Sequence, residues 1–144
     1  SIEGEAREVA REHASLALDR RARGQRSALL SGGEVTVTVT GQGRGGPNQE
    51  YALSLGDALD GAEGICALAA DTDGTDGGEG SADDPAGAIV DPTTPARAAA
   101  HGLNPAKFLQ DNDSSGFFGI LGDLVTTGPT RTNVNDFRVI LIDS

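Results

Sequence analysis

Ile2, Ala6, Val9, Ala10, His13, Leu16 and Ala17 recur at three- and four-residue steps along one face, which predicts a helix over residues 3–19. Its apolar stripe is thin and rich in alanine, so this helix cannot bury much area alone and is expected to lie on something larger. Residues 20–26 carry four arginines and read as a basic, solvated linker. From Val35 to Thr40 valine alternates with threonine, the two-residue period of a strand buried on one side. Tyr51, Ala52, Leu55, Ala58 and Leu59 restore helical spacing until Gly61 or Gly64, and residues 65–70 have the length and continuity of a buried strand. The apolar stretch 86–90 resumes a helix or a strand before Pro92 and Pro95 break it. Alanines predict a helix over 95–101, Asn104-Pro105 opens a further short one, and residues 113–115 offer N-caps to a helix packed through Phe117, Phe118, Ile120 and Leu121. Residues 124–127 and 137–142 read as strands, with turn chemistry at 128–130 and 133–136. Strands alternating with helices predict an α/β fold, with a mixed sheet and helices on both faces of a single domain.

At 144 residues the chain is long enough to bury a core without disulfides or a structural metal. The single cysteine, Cys66, lies in an apolar run and reads as a buried small hydrophobe; with no disulfide framework, a cytoplasmic location is expected. No apolar run approaches the ~20 residues of a membrane span, and the N-terminus has no signal-peptide pattern, so no membrane partner is expected. The formal net charge of −11 argues against nonspecific nucleic-acid binding, which needs basic surface to displace counterions. Ten arginines beside one lysine, with many aspartates, fit either a surface kept soluble at high salt or a GC-rich genome, and composition does not separate the two.

The chemistry concentrates in three places. Gly41, Gly43, Gly45 and Gly46 form a loop that ends at Pro47, a residue suited to the first turn of a helix. Glycine N–H groups next to a helix N-terminus make a candidate site for a phosphate or carboxylate, and Arg44 adds a fork of donors that fits two oxygens at once. The spacing Gly41-x-Gly43-x-x-Gly46, with Asp71 after the next strand, also matches a dinucleotide fingerprint, so a nicotinamide site and a purely structural turn stand beside the oxyanion reading. Against the dinucleotide, the preceding strand alternates with threonine instead of being continuously apolar. The second place is the acidic loop 71–84. Calcium templates fail in it, and Asp73 and Asp76 at the carboxyl end of a strand read better as site carboxylates, while Glu79, Asp83 and Asp84 read as a solvated loop. In the third, residues 110–114, capping and ligand contact are equal alternatives for Asn112, Asp113 and Ser114. His13 and His101 read as packing or surface residues. No Ser/His/Asp triad or zinc-ligand spacing is present.

Taken in order, GQGRGGPNQEYAL, TDGTDG followed by AGAIVD, NDSSGFF with LGDL, and TGPTRTNVNDFRVILI resemble the C-terminal (MOFRL) domain of class II glycerate kinases, enzymes also known as hydroxypyruvate reductases. The resemblance runs from about residue 30 to residue 142, and EGEAREVAREHA looks like the end of the family's larger N-terminal domain. It implies that residues 1–29 belong to the end of a missing N-terminal domain and that 30–144 form the MOFRL-like unit. It also implies ATP and Mg²⁺ as cofactors, glycerate as substrate in a cleft between two domains, and a chain inactive by itself. NAD(P)-dependent hydroxypyruvate reduction and a stand-alone anion-binding domain remain the alternatives. By the same resemblance Arg44 binds the glycerate carboxylate or the moving phosphoryl group, Asn48 and Glu50 order the loop of Gly43, Gly45 and Gly46, and Asp73 and Asp76 line the cleft; Asn112 and Ser114 join the expected substrate-binding set from the residue reading, and which residues hold the metal stays open. Pro47, Arg131 and the acidic insert 78–84 depart from the family pattern. The thin first helix, its neighbour absent, is expected to promote self-association, so a homo-oligomer is a further expectation.

Overall fold

In this computed structural model residues 4–143 are described, so Ile2 and residue 3 of the expected first helix lie outside the described residues. The chain forms α1 (Ala6–Ala22), β1 (Ser27–Gly32), α2 (Pro47–Leu59), β2 (Ile65–Asp71), β3 (Gly87–Val90), α3 (Thr94–Ala100), α4 (Pro105–Gln110), α5 (Ser114–Leu121), β4 (Leu124–Val125) and β5 (Asp136–Ile142). The α/β class and the single domain are as the sequence predicts. The strand order is β1-β5-β2-β3-β4, and every neighbouring pair is antiparallel. β1 and β2 point the same way, joined over one face by α2, but β5 inserts between them. A mixed sheet with adjacent parallel strands is therefore not what forms.

Alternation along β5 decides where the core lies. Asp136, Arg138, Ile140 and Ile142 face inward, in register with Ile65, Ala67 and Ala69 of β2, and together with α1 and α2 they close the core. Complete burial of a residue such as Ile140 or Ile142 is worth about 1.5–3 kcal/mol. Among the described residues no helix covers the opposite face, contrary to the expectation of helices on both sides. Leu30, Val139, Leu68 and Ile89 stand in one cross-strand row on it, and Leu30 is 68% exposed. Cys66 lies on this open face beside Leu141 and is only half-buried, a correction to the buried position expected of it. The helices crowd instead around α2, which is buried on nearly all sides by α1, the sheet, α4 and α5.

One predicted strand is displaced. Residues 35–40 are extended but outside the sheet, because β1 already occupies the edge of β5. Their backbone groups pair elsewhere: Thr36 accepts from Ala6 N at 2.8 Å and donates to Gly4 O at 2.8 Å, joining the segment to the start of α1. α1 itself packs on α2 through Ala6, Val9, Ala10, Ala14 and Ala17, small side chains that let the two helices approach closely, while Leu16 is 43% exposed. The expected caps at Asn104 and Asp113 are present; their side chains accept from Ala106 N at 3.1 Å and Gly116 N at 3.3 Å.

Candidate functional site

The N-terminus of α2 meets an anion that belongs to the chain. Asp76 is 3% exposed, and its carboxylate accepts from the backbone N–H groups of Asn48 and Gln49, at 3.0 and 2.9 Å, and from both of their side-chain amides. These bonds satisfy donors that a helix start leaves open. Burial nevertheless holds the Asp76 carboxyl above its usual range, against the four donors that favour the anion.

Beneath this cap lies a second polar layer. Asn48 donates to Asp136 at 2.7 Å, and Asp136 pairs with Arg138 at 3.3 Å. The guanidinium of Arg138 is wholly buried; it also donates to Gly32 O, Gly33 O and Ser31 Oγ, and lies 5.5 Å from the centre of the Tyr51 ring. The Tyr51 hydroxyl is bonded to His13 Nδ1 at 2.7 Å. Burial first, then Arg138, lowers the His13 pKa from 6.5, while Glu12 opposes them. A lowered folded pKa gives stability that is complete above the unfolded value and lost as pH falls. Stability is thus expected to decline below about pH 6.5 more steeply in the wild type than in His13→Gln, which keeps a partner for Tyr51. Urea midpoints from pH 8 to pH 5 check this, and equal slopes would count against it.

The glycine loop is gripped by the turn between α4 and α5. Asn112, buried and left-handed at φ +53°, accepts from Thr40 N at 2.6 Å and Gly41 N at 2.8 Å and donates to Thr38 O and to Glu50 Oε1. Gln42 N, Gly43 N and Arg44 N donate to Asp111 and Asp113. Gly45 has φ +142°, and a Cβ there would lie 1.9 Å from Ser114 Oγ; at Gly46 it would lie 2.4 Å from the Asp76 backbone. Close approach within the domain therefore accounts for both glycines. Glu50 is also paired with Arg7 at 3.3 Å, so Glu50 and Asn112 hold residues 38–41 from behind, while Asn48 bonds instead to Asp76 and Asp136. Asn112→Asp would set a second carboxylate against Glu50 and lose two donated bonds; it is expected to cost about 3 kcal/mol. A thermal transition within a degree or two of wild type would contradict that.

Arg44 is exposed and makes no ion pair among the described residues. It lines a cleft of about 570 Å³ with Gly43, Gly45, Asp76, Glu79 and Ser115. Asp73 falls in a neighbouring hollow beside Thr75 and Pro129. There it stands by Asp71, whose carboxyl is pushed up to about 6 by burial, with Asp73 and Asp136 adding repulsion. The structure thus brings Arg44, Gly43, Gly45 and Asp76 to one cleft, sets Asp73 next door, and keeps Asn48, Glu50, Asn112 and Ser114 behind the wall. Asp84 is more than a solvated acid: it accepts from Thr75 Oγ1, Gly80 N and Ser81 N and closes the insert, the Thr75 hydroxyl holding its pKa low. Sequence reasoning missed Arg138, Asp136, Gln49 and Ser115. Arg138 had a signal, since it is in phase with Ile140 and Ile142 on an alternating strand.

The MOFRL family model matches residues 27–136. A putative hydroxypyruvate reductase of Agrobacterium vitis is 50% identical over 99% of this chain, which covers 33% of that protein. A D-glycerate 2-kinase of Thermotoga maritima is 48% identical over 81% of the chain and 27% of its own length. The crystal structure of a glycerate kinase from Thermotoga maritima superposes with a TM-score of 0.91 at 43% identity, covering 99% of this chain and 34% of that one. The chain thus spans about a third of the length of these relatives. Among the described residues no helix is long and apolar enough to cross a membrane.

Proposed function

Because this chain belongs to the MOFRL family, we propose that it forms the C-terminal domain of a glycerate 2-kinase and contributes the Arg44 cleft to an interdomain site for ATP-dependent phosphorylation of glycerate. The observation that carries this reading is Arg44 itself, an exposed guanidinium, unpaired among the described residues and held on a hydrogen-bonded loop at the mouth of a cleft. Its planar fork donates to two oxygens of a carboxylate or a phosphoryl group. Gly41, Gln42, Gly43 and Arg44 spend their N–H groups on Asp111, Asn112 and Asp113, so along this stretch the anion is met by the side chain of Arg44. Phosphoryl transfer depends mainly on positioning and on neutralising charge, and a rigid loop with one free guanidinium serves both.

The acidic residues bear on the metal. Among the described residues no three His, Cys, Asp or Glu side chains are grouped to hold an ion by themselves. A magnesium ion shared with nucleotide phosphates needs only one or two protein carboxylates, and Asp71 with Asp73, whose repulsion adds to the burial that raises the pKa of Asp71, fits that need. Such an ion would neutralise charge on the transferring phosphates. Asp76, capping α2 with its whole carboxylate, is a positioning group in this reading.

A second reading, nicotinamide-dependent reduction of hydroxypyruvate, is favoured by the name of the Agrobacterium vitis relative. The fold gives it little room: the glycine loop follows no sheet strand, and the N-terminus of α2, where a pyrophosphate would sit, holds Asp76. Assays run in parallel on the full-length protein separate the two. Glycerate-dependent release of ADP is expected; hydroxypyruvate-dependent oxidation of NAD(P)H without it would replace the kinase reading by the reductase.

A further inference from the structure

Two walls of the Arg44 cleft come from distant parts of the chain, Asp76 from the acidic loop and Ser115 from the first turn of α5. One buried side chain joins them. Gln49 is fully buried; its Nε2 donates to Asp76 Oδ2 and to Asp76 O, both at 3.0 Å, and its Oε1 accepts from Ser115 Oγ. The Ser115 backbone N–H in turn donates to Arg44 O at 2.8 Å. An unbroken path of hydrogen bonds therefore runs from the acidic wall through one amide to the peptide that carries Arg44.

We infer that Gln49 and Ser115 are positioning residues that set the width of the Arg44 cleft, and with it the distance at which a carboxylate- or phosphate-bearing substrate is held. The inference rests on the reading of Arg44 as the anion-binding group. A primary amide suits this place because it presents two donors to Asp76 and one acceptor to a hydroxyl at the same time. A carboxylate at position 49 would repel Asp76, and a shorter amide would not span both walls. Ser115 is the arm that can be cut with least damage: it is half-buried, its loss leaves no charge uncompensated, and its backbone bond to Arg44 O survives any side-chain change.

The test uses the full-length protein with Ser115→Ala and Ser115→Thr. Ser115→Ala is expected to raise the KM for glycerate about tenfold, as misplacement of a binding group does, with the thermal midpoint close to wild type. Ser115→Thr keeps the hydroxyl and is expected to restore KM. Amide hydrogen exchange gives a readout independent of catalysis: protection of residues 43–46 should fall in Ser115→Ala and return in Ser115→Thr. If the wild type releases no ADP with glycerate, the kinase reading fails while the exchange experiment still decides the positioning role. Unchanged exchange and KM in Ser115→Ala would overturn the inference, as would equal losses in both variants accompanied by a lowered midpoint.

Discussion

Arg138→Met is expected to remove about 3–5 kcal/mol of stability, the usual cost of deleting one partner of a buried ion pair. Arg138 has no exposed side-chain surface, and the substitution would leave Asp136 with only the Asn48 amide as a partner while Gly32 O and Gly33 O lose their donors. Methionine fills similar space, so the loss reports chiefly on charge and hydrogen bonding. The pair gives a sharper test than the single change. Asp136→Asn combined with Arg138→Met leaves no net charge buried there, and the double variant should lose clearly less than the two single losses added together. Urea unfolding of all three variants measures this. A loss below about 1 kcal/mol for Arg138→Met alone would mean that water reaches Asp136 once the arginine has gone.

Arg44→Lys is expected to lower turnover of the full-length enzyme by an order of magnitude or more without changing its thermal midpoint. Lysine keeps the charge but replaces a planar fork with a single ammonium, so two-point contact with a carboxylate or phosphoryl group is lost. The side chain is exposed and makes no ion pair among the described residues, hence the substitution has little route to stability. Removing one donor that faces developing charge commonly costs 10²–10³ in rate, and a lysine retaining part of the interaction should fall at or below that range. Kinetic constants for glycerate and ATP, measured beside a melting curve, test the claim. Normal kinetics in a folded variant would take Arg44 out of the site.

Much of the site was legible because its local chemistry is written in consecutive residues. Glycines spaced around Arg44, a proline at the start of α2 and the dense aspartates after β2 announced a loop, a helix start and a polar rim, and all three are present where expected. What could not be read was which polar residues turn inward. Asn48 and Glu50 were expected to order the loop, but no local pattern marks them or Gln49 as buried, and each is at most 2% exposed. Their burial depends on α1, α4 and α5 converging on α2 from positions far away in the chain. Asn112 and Ser114 show the same limit: capping and ligand contact looked equal, whereas Asp113 caps α5, Asn112 clamps residues 38–41 to Glu50, and Ser114 packs against Gly45.

The sequence by itself determined the helices, three of the five strands, the turns and the loop chemistry, and left β3 open between helix and strand, because periodicity, proline and glycine act through neighbours a few residues apart. Only the tertiary structure decided which extended segment joins the sheet. Only residues 35–40 alternate in sequence, yet β5 has one free edge on that side, and residues 27–32, which alternate in burial alone, take it. Tertiary structure alone also placed Asp76 at the start of α2. A cap contributed from 28 residues away leaves no local signature, since hydrogen bonding depends on distance in space and not on distance along the chain.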